Sequence, residues 1–170
     1  MRLNNPEYKA PVPALLWSMT FPGFGQIYNK QYILGSLFII LEFIINNFAC
    51  LNFAIMESFH GEFQKAHDLL NYQWGIYYPS IWCFSMWQAY NRALTINSYL
   101  EGKIYRECKL IGALFGVTFG MNMGIYIHFQ FKQSILRFLE SPVFSGLILG
   151  ILCGIIGHQV ETAIKTKVKS

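Results

Sequence analysis

The sequence predicts an all-α membrane protein: four transmembrane helices plus a proline- and glycine-broken N-terminal segment, five membrane segments in one integral domain over residues 1–170. Three observations carry that expectation. Charged residues make up 13% of the chain and hydrophobic ones 54%, whereas water-soluble domains carry about 25% charged residues. Apolar runs near the roughly 20 residues needed to cross a bilayer recur along the chain. Half of the fourteen glycines fall into two rows with a step of four: Gly112, Gly116, Gly120 and Gly124, then Gly146, Gly150 and Gly154. Positions four apart share a helix face, so each row is a stripe without side chains. In water, interior glycines cost about 1 kcal/mol each against alanine; in lipid a bare stripe lets another helix approach closely.

Composition also excludes. A net charge of +4 without a block of like charges argues against a nucleic-acid partner. Cys50, Cys83 and Cys153 lie in apolar runs, Cys108 lies in a charged loop, and none forms a C-x-x-C pair, so neither a disulfide framework nor a zinc knuckle is expected. No serine stands in a G-x-S-x-G setting and no phosphate-binding loop occurs, so no enzyme and no cofactor are expected. Arg2 and Lys9 precede an apolar stretch holding three prolines without a small-x-small cleavage site, so no removable signal peptide is expected.

The first membrane segment, 10–28, is long enough to cross but is broken at Pro22-Gly23 and Gly25. Proline removes a donor and disfavours helix at the preceding Phe21, leaving a kinked span or a half-inserted hairpin. Residues 33–56 form a full span, with Glu42, Asn46 and Asn47 inside it. Residues 57–73 are a polar loop. The span 74–95 opens on Tyr72, Trp74, Tyr77 and Tyr78, aromatics suited to a headgroup boundary. Residues 96–109 are a charged loop, and spans 110–130 and 143–160 carry the glycine rows. With the 96–109 loop and the C-terminus cytoplasmic, Lys30, Arg92, Lys103, Arg106, Lys109, Lys165, Lys167 and Lys169 share that side, with Lys65, Lys132 and Arg137 opposite. Arg2 and Lys9 join the majority only if 10–28 is a hairpin, which charge counting prefers.

Pro22-Gly23-Phe24-Gly25-Gln26-Ile27-Tyr28 resembles the P-G-x-G-Q-x-Y signature of small prokaryotic membrane proteins related to the TM2-domain group. Trp82, Trp87, Ala89, Tyr90, Ala93 and Asn97 resemble the end of a later span in the same proteins, with Gln88 where an aspartate is usual. The likeness covers residues 13–97. It implies a bacterial cell-membrane location and a paired-helix reading of 10–56, and assigns no activity. By residue chemistry alone, Gly23 and Gly25 permit a backbone that a Cβ forbids, Gln26 can bond carbonyls freed by Pro22, and Tyr28 suits an interface.

Among candidate sites, Glu42 is the sharpest. An ionised carboxylate at mid-depth costs several kcal/mol, so Glu42 is expected to be protonated or paired across helices, with Gln88, Asn91 and Asn122 as available partners and Asn46 one turn along. It is either a proton or cation site or interhelical glue. His128 and His158 extend the glycine rows by one step. Glu57, His60, Gln64 and His67 share a face if helical and suit zinc or nickel, although no known motif has that spacing and a solvated face is the plainer reading. Three function classes are weighed: a scaffold or accessory subunit that packs against a membrane-protein partner or its own copies, a small oligomeric channel or transporter built on Glu42, and, placed last because no residue pattern supports it, an intramembrane enzyme.

Overall fold

A computed structural model describes residues 7–103, 108–127 and 135–169. Almost all of them are helical, and no strand occurs among them. The chain forms two compact units, Met1–Glu42 with Ile81–Lys109 and Phe43–Ser80 with Leu110–Ser170.

In the first unit, α1 (Pro11–Thr20) opens with Pro11 and Pro13, positions where a missing N–H costs nothing. It stops where Phe21 turns extended ahead of Pro22, as sterics before proline require. Gly23, at φ 106°, reverses the chain, and α2 (Phe24–Tyr28) runs back along α1. Ser18 Oγ donates to Gln26 Oε1 at 3.1 Å, and the Ala10 N–H donates to the Tyr28 hydroxyl at 3.2 Å. Residues 10–28 are therefore a helical hairpin. The unit is completed by α3 (Tyr32–Ala49) up to Glu42 and by α7 (Tyr77–Leu100) from Ile81.

The second unit holds the end of α3, then α4 (Leu51–Phe59), α5 (Phe63–Leu69), α6 (Tyr72–Gly75), the start of α7, α8 (Ile111–Tyr126), a 3-10 helix (Ile135–Glu140) and α9 (Pro142–Lys169). Ser141 caps α9, its Oγ accepting from the N–H groups of Val143 and Phe144 at 3.1 and 3.2 Å, with Pro142 in the first turn. Ala49, Leu51, Ala54, Ala66, Leu70 and Ile125 form the buried apolar cluster.

Two expectations need correction. The run 33–56 is not one helix, because it breaks at Cys50, which is left-handed at φ 54°. Asn46 is the cause: its Oδ1 accepts from the Asn52 N–H at 3.2 Å and its Nδ2 donates to Asn52 Oδ1 at 3.1 Å, a side-chain bond that competes with the helix ladder. The freed Ala49 carbonyl accepts from the Asn71 N–H at 3.0 Å. The stretch 57–73 is likewise not a loop but the end of α4, then α5 and the start of α6.

Among the described residues, two helices are long and apolar enough to cross a membrane, Tyr32–Ala49 and Pro142–Lys167, where four were expected. The 24 residues of α7 suffice in length, but Gln88, Asn91, Arg92 and Asn97 dilute its hydropathy. The 16 residues of α8 extend only about 24 Å, against a core of about 30 Å. His128 lies outside the described residues.

Candidate functional site

The polar centre of the first unit is Gln26, whose side chain is 0% exposed. A primary amide offers two donors and two acceptor positions, and all four are used. Oε1 accepts from Ser18 Oγ and Ser85 Oγ, both at 3.1 Å. Nε2 donates to the Ser85 carbonyl at 2.8 Å and to Gln88 Oε1 at 2.9 Å. Gln88 Nε2 passes the chain on to Gln31 Oε1 at 3.1 Å, and Ser85 Oγ accepts from the Gly23 N–H at 3.2 Å. The expected partners of Gln26, the carbonyls near the Pro22 break, are served otherwise: Trp17 O by Thr20 Oγ1 at 2.7 Å and Met19 O by Trp82 Nε1 at 3.0 Å.

Small residues permit this approach. A Cβ on Gly25 would strike the Ala14 carbonyl and Ser18 Oγ, and would lie 2.7 Å from the Ala89 Cβ. Ala14, Ala89 and Ala93 form the unit's buried core, with Tyr28 against it. At the open end of the hairpin, Asn97 Nδ2 donates to Lys9 O at 2.7 Å and its Oδ1 accepts from the Lys9 N–H at 2.8 Å. The two stretches that carry the sequence resemblance thus face each other. Asn91 closes the other side of α7: its Oδ1 accepts from the Lys109 N–H at 2.7 Å, while Asn91 Nδ2 and Trp87 Nε1 donate to the Lys109 carbonyl at 3.0 and 2.8 Å.

In the second unit α8 and α9 run antiparallel in two interleaved registers. A Cβ added to Gly112, Gly116, Gly120 or Gly124 would land on the backbone carbonyl of Gly157, Cys153, Leu149 or Ser145 respectively, each step of four down α8 matched by four up α9. The α9 row is less crowded by backbone. A Cβ on Gly146 would lie 3.3 Å from the Met121 carbonyl as well as from Ile125 Cγ1, while one on Gly150 would first strike Met121 Cγ and one on Gly154 would first strike Val117 Cγ2. Gly157, which the four-residue step passes over, makes the tightest reciprocal contact, since its own Cβ would strike the Gly112 carbonyl. Ser145 Oγ donates to the Gly124 carbonyl at 2.6 Å, and the Gly112 N–H donates to Glu161 Oε2 at 2.9 Å. That carboxylate serves the start of α8, whose own N-cap Leu110 offers no side-chain bond.

The remaining candidates scatter. Glu42 is 5% exposed on α3. Of the partners expected for it, Gln88 bonds Gln26 and Gln31, Asn91 bonds Lys109, and Asn122 donates to the Thr118 carbonyl at 3.1 Å. Asn46 serves the Cys50 break. His158 is exposed on α9. The face of Glu57, His60, Gln64 and His67 is split by the turn at Gly61, φ 80°. Glu57 pairs with Lys65 at 2.8 Å, which raises the lysine's pKa, and Gln64 Nε2 donates to Asp68 at 3.0 Å. His67 Nδ1 meets the Tyr72 hydroxyl and its Nε2 meets the Glu140 carbonyl at 2.8 Å. No group of three or more metal-ligating side chains occurs among the described residues. Burial first, then Asp68 and Tyr126, pushes the Tyr72 phenol up to about 12.

The fold is thus a helical one, with two helices long and apolar enough to cross a membrane. Compared with family models, curated proteins and solved structures, the chain matches none.

Proposed function

We propose that the protein is a multi-pass integral membrane protein that acts by lateral association, as a scaffold or accessory subunit rather than an enzyme. In this reading it resides in a bacterial cell membrane with a cytoplasmic C-terminus, and α7 and α8 join α3 and α9 as membrane segments. The observation that carries it is the α8–α9 contact. Four glycines placed against four carbonyls consume both bare stripes within the chain and turn large apolar side chains outward, among them Phe115, Phe119 and Met123 on α8 and Ile151, Leu152, Ile155 and Ile156 on α9. A rigid pair with an oily outer face suits a partner helix in lipid, where shape rather than hydrophobicity selects partners.

The alternative is a small channel or transporter with Glu42 as a proton or cation site. The saturation of Gln26 weighs against it, because amide and hydroxyl groups that satisfy one another leave little to line a polar path. Photo-crosslinkers at Phe119 and Ile151 in native membranes test the association. A discrete protein adduct at either position supports it, and lipid adducts alone at both overturn it. Ion or proton flux in vesicles that is lost in Glu42→Gln would favour the alternative.

A further inference from the structure

We propose that the α1–α2 hairpin enters one leaflet only, its Phe21–Phe24 tip in the acyl chains and its open end at the headgroups. The proposal rests on the membrane reading above but on separate observations. Residues 10–29 contain no charged side chain. Charge begins at both open ends together, where Glu7 pairs with Lys9 at 3.3 Å and with Lys30 at 3.5 Å and Lys9 Nζ lies over the Tyr28 ring. The ten residues of α1 extend about 15 Å, half of a hydrocarbon core of about 30 Å.

The polarity of the hairpin is inverted. Ser18, Gln26 and Asn29 are buried, and each is hydrogen-bonded within the unit, Asn29 through Nδ2 to the Ala89 carbonyl at 2.8 Å. Val12, Leu16, Trp17, Met19, Phe24 and Ile27 are exposed, Trp17 at 51%. Each such side chain is stabilised when it leaves water. At the turn the leading backbone donors are hydrogen-bonded, which lowers the cost of entering lipid. Pro22 has no N–H, while the Phe21, Gly23 and Phe24 N–H groups donate to Trp17 O, Ser85 Oγ and Phe21 O. At the tip, Phe21 and Phe24 lie 5.1 Å apart, and Trp17 lies 6.5 Å from Phe24.

The test combines sidedness and depth. In a chain with its four cysteines changed to serine, Tyr8→Cys, Glu101→Cys and Met19→Cys are labelled with an impermeant maleimide in intact bacterial cells and in inverted vesicles. Residues 8 and 101 should label from the same side, and labelling at 19 should be lost from both. In the otherwise unaltered chain, lipids brominated midway along the acyl chain should quench a component of tryptophan emission that is absent from Trp17→Phe. Residues 8 and 101 on opposite sides, in a chain that resists alkaline extraction, would overturn the hairpin and spare the membrane reading. Equal labelling at 8, 19 and 101, or no bromine-sensitive Trp17 component, would place the hairpin in water and likewise overturn it. Release of the protein by alkaline carbonate would take down both.

Discussion

A glutamine with no exposed surface is tolerable only if every one of its hydrogen-bonding positions is served, and Gln26 meets that condition through Ser18, Ser85 and Gln88. Gln26→Glu replaces a double donor by an acceptor facing the Ser85 carbonyl and Gln88 Oε1. Stranding buried polar groups costs about 1–3 kcal/mol each, so this variant should lose at least that much in a detergent unfolding titration, with partial recovery below the carboxyl pKa, where one O–H donor returns. Wild-type stability at neutral pH would show that the four bonds do not hold the unit together. Tyr72 makes a second prediction at this scale. Its phenol is raised in the folded state, so the folded protein holds that proton longer than the unfolded chain does. The sign follows: this contribution is intact below pH 10, the ordinary tyrosine value, and is lost as pH rises toward about 12. The absorbance difference between wild type and Tyr72→Phe should show phenolate forming near pH 12; formation near 10 would contradict it.

Helix pairs are judged by what a methyl group would meet. On α8 it would meet carbonyls, which cannot move without parting the helices; on α9 it would meet such a carbonyl at Gly157, flexible side chains at Gly150 and Gly154, and at Gly146 only neighbours 3.3 Å away. Alanine at Gly116 or Gly120 should therefore cost about 1–3 kcal/mol by overpacking, whereas alanine at Gly146, whose nearest neighbours lie 3.3 Å off, should cost clearly less, since it recovers helix propensity of about 1 kcal/mol. Equal losses in both rows, read as detergent unfolding midpoints, would contradict the interleaved register. The same register places a Gly154 Cβ 3.6 Å from the Val117 Cβ, inside the disulfide range of about 3.5–4.5 Å. Val117→Cys with Gly154→Cys, in a chain lacking the other cysteines, should oxidise to an intrachain crosslink, and a crosslinked dimer alone would point to pairing between copies. The step of four was legible because it repeats along each helix. The offset between rows was not: which residue fills a bare site depends on the facing helix, so Val117, beside the row in sequence, is the knob over Gly154. Gly157 escaped for a related reason, standing three residues past Gly154 where the step of four reaches His158.

At the scale of the molecule, the part of the fold that composition could reveal was its helicity and its oiliness. The parts it could not were set by single side chains acting on backbone. Asn46 ends a helix inside an apolar run that hydropathy reads as continuous, and two short helices occupy a stretch whose polarity reads as a loop. The candidate site divides the same way: proline chemistry announces the break at Pro22, but only the facing α7 supplies Ser85 and Gln88 to Gln26. What unites both units is the direction of polarity. Side chains with almost no exposure include Gln26, Asn29 and five serines, while Ile33 is 86% exposed, with Ile40, Phe119 and Ile151 also outward. On a water-soluble protein, lysine at an outward position changes stability by no more than about 0.5 kcal/mol. In lipid each mid-helix lysine costs roughly 2.5–3.5 kcal/mol to insert. Ile40→Lys, Phe119→Lys and Ile151→Lys should therefore each deplete the membrane-embedded protein, whereas Tyr99→Lys, one residue before the end of α7, should not. Measured as the fraction resistant to alkaline extraction, unchanged values for all three mid-helix variants would mean that these side chains face water.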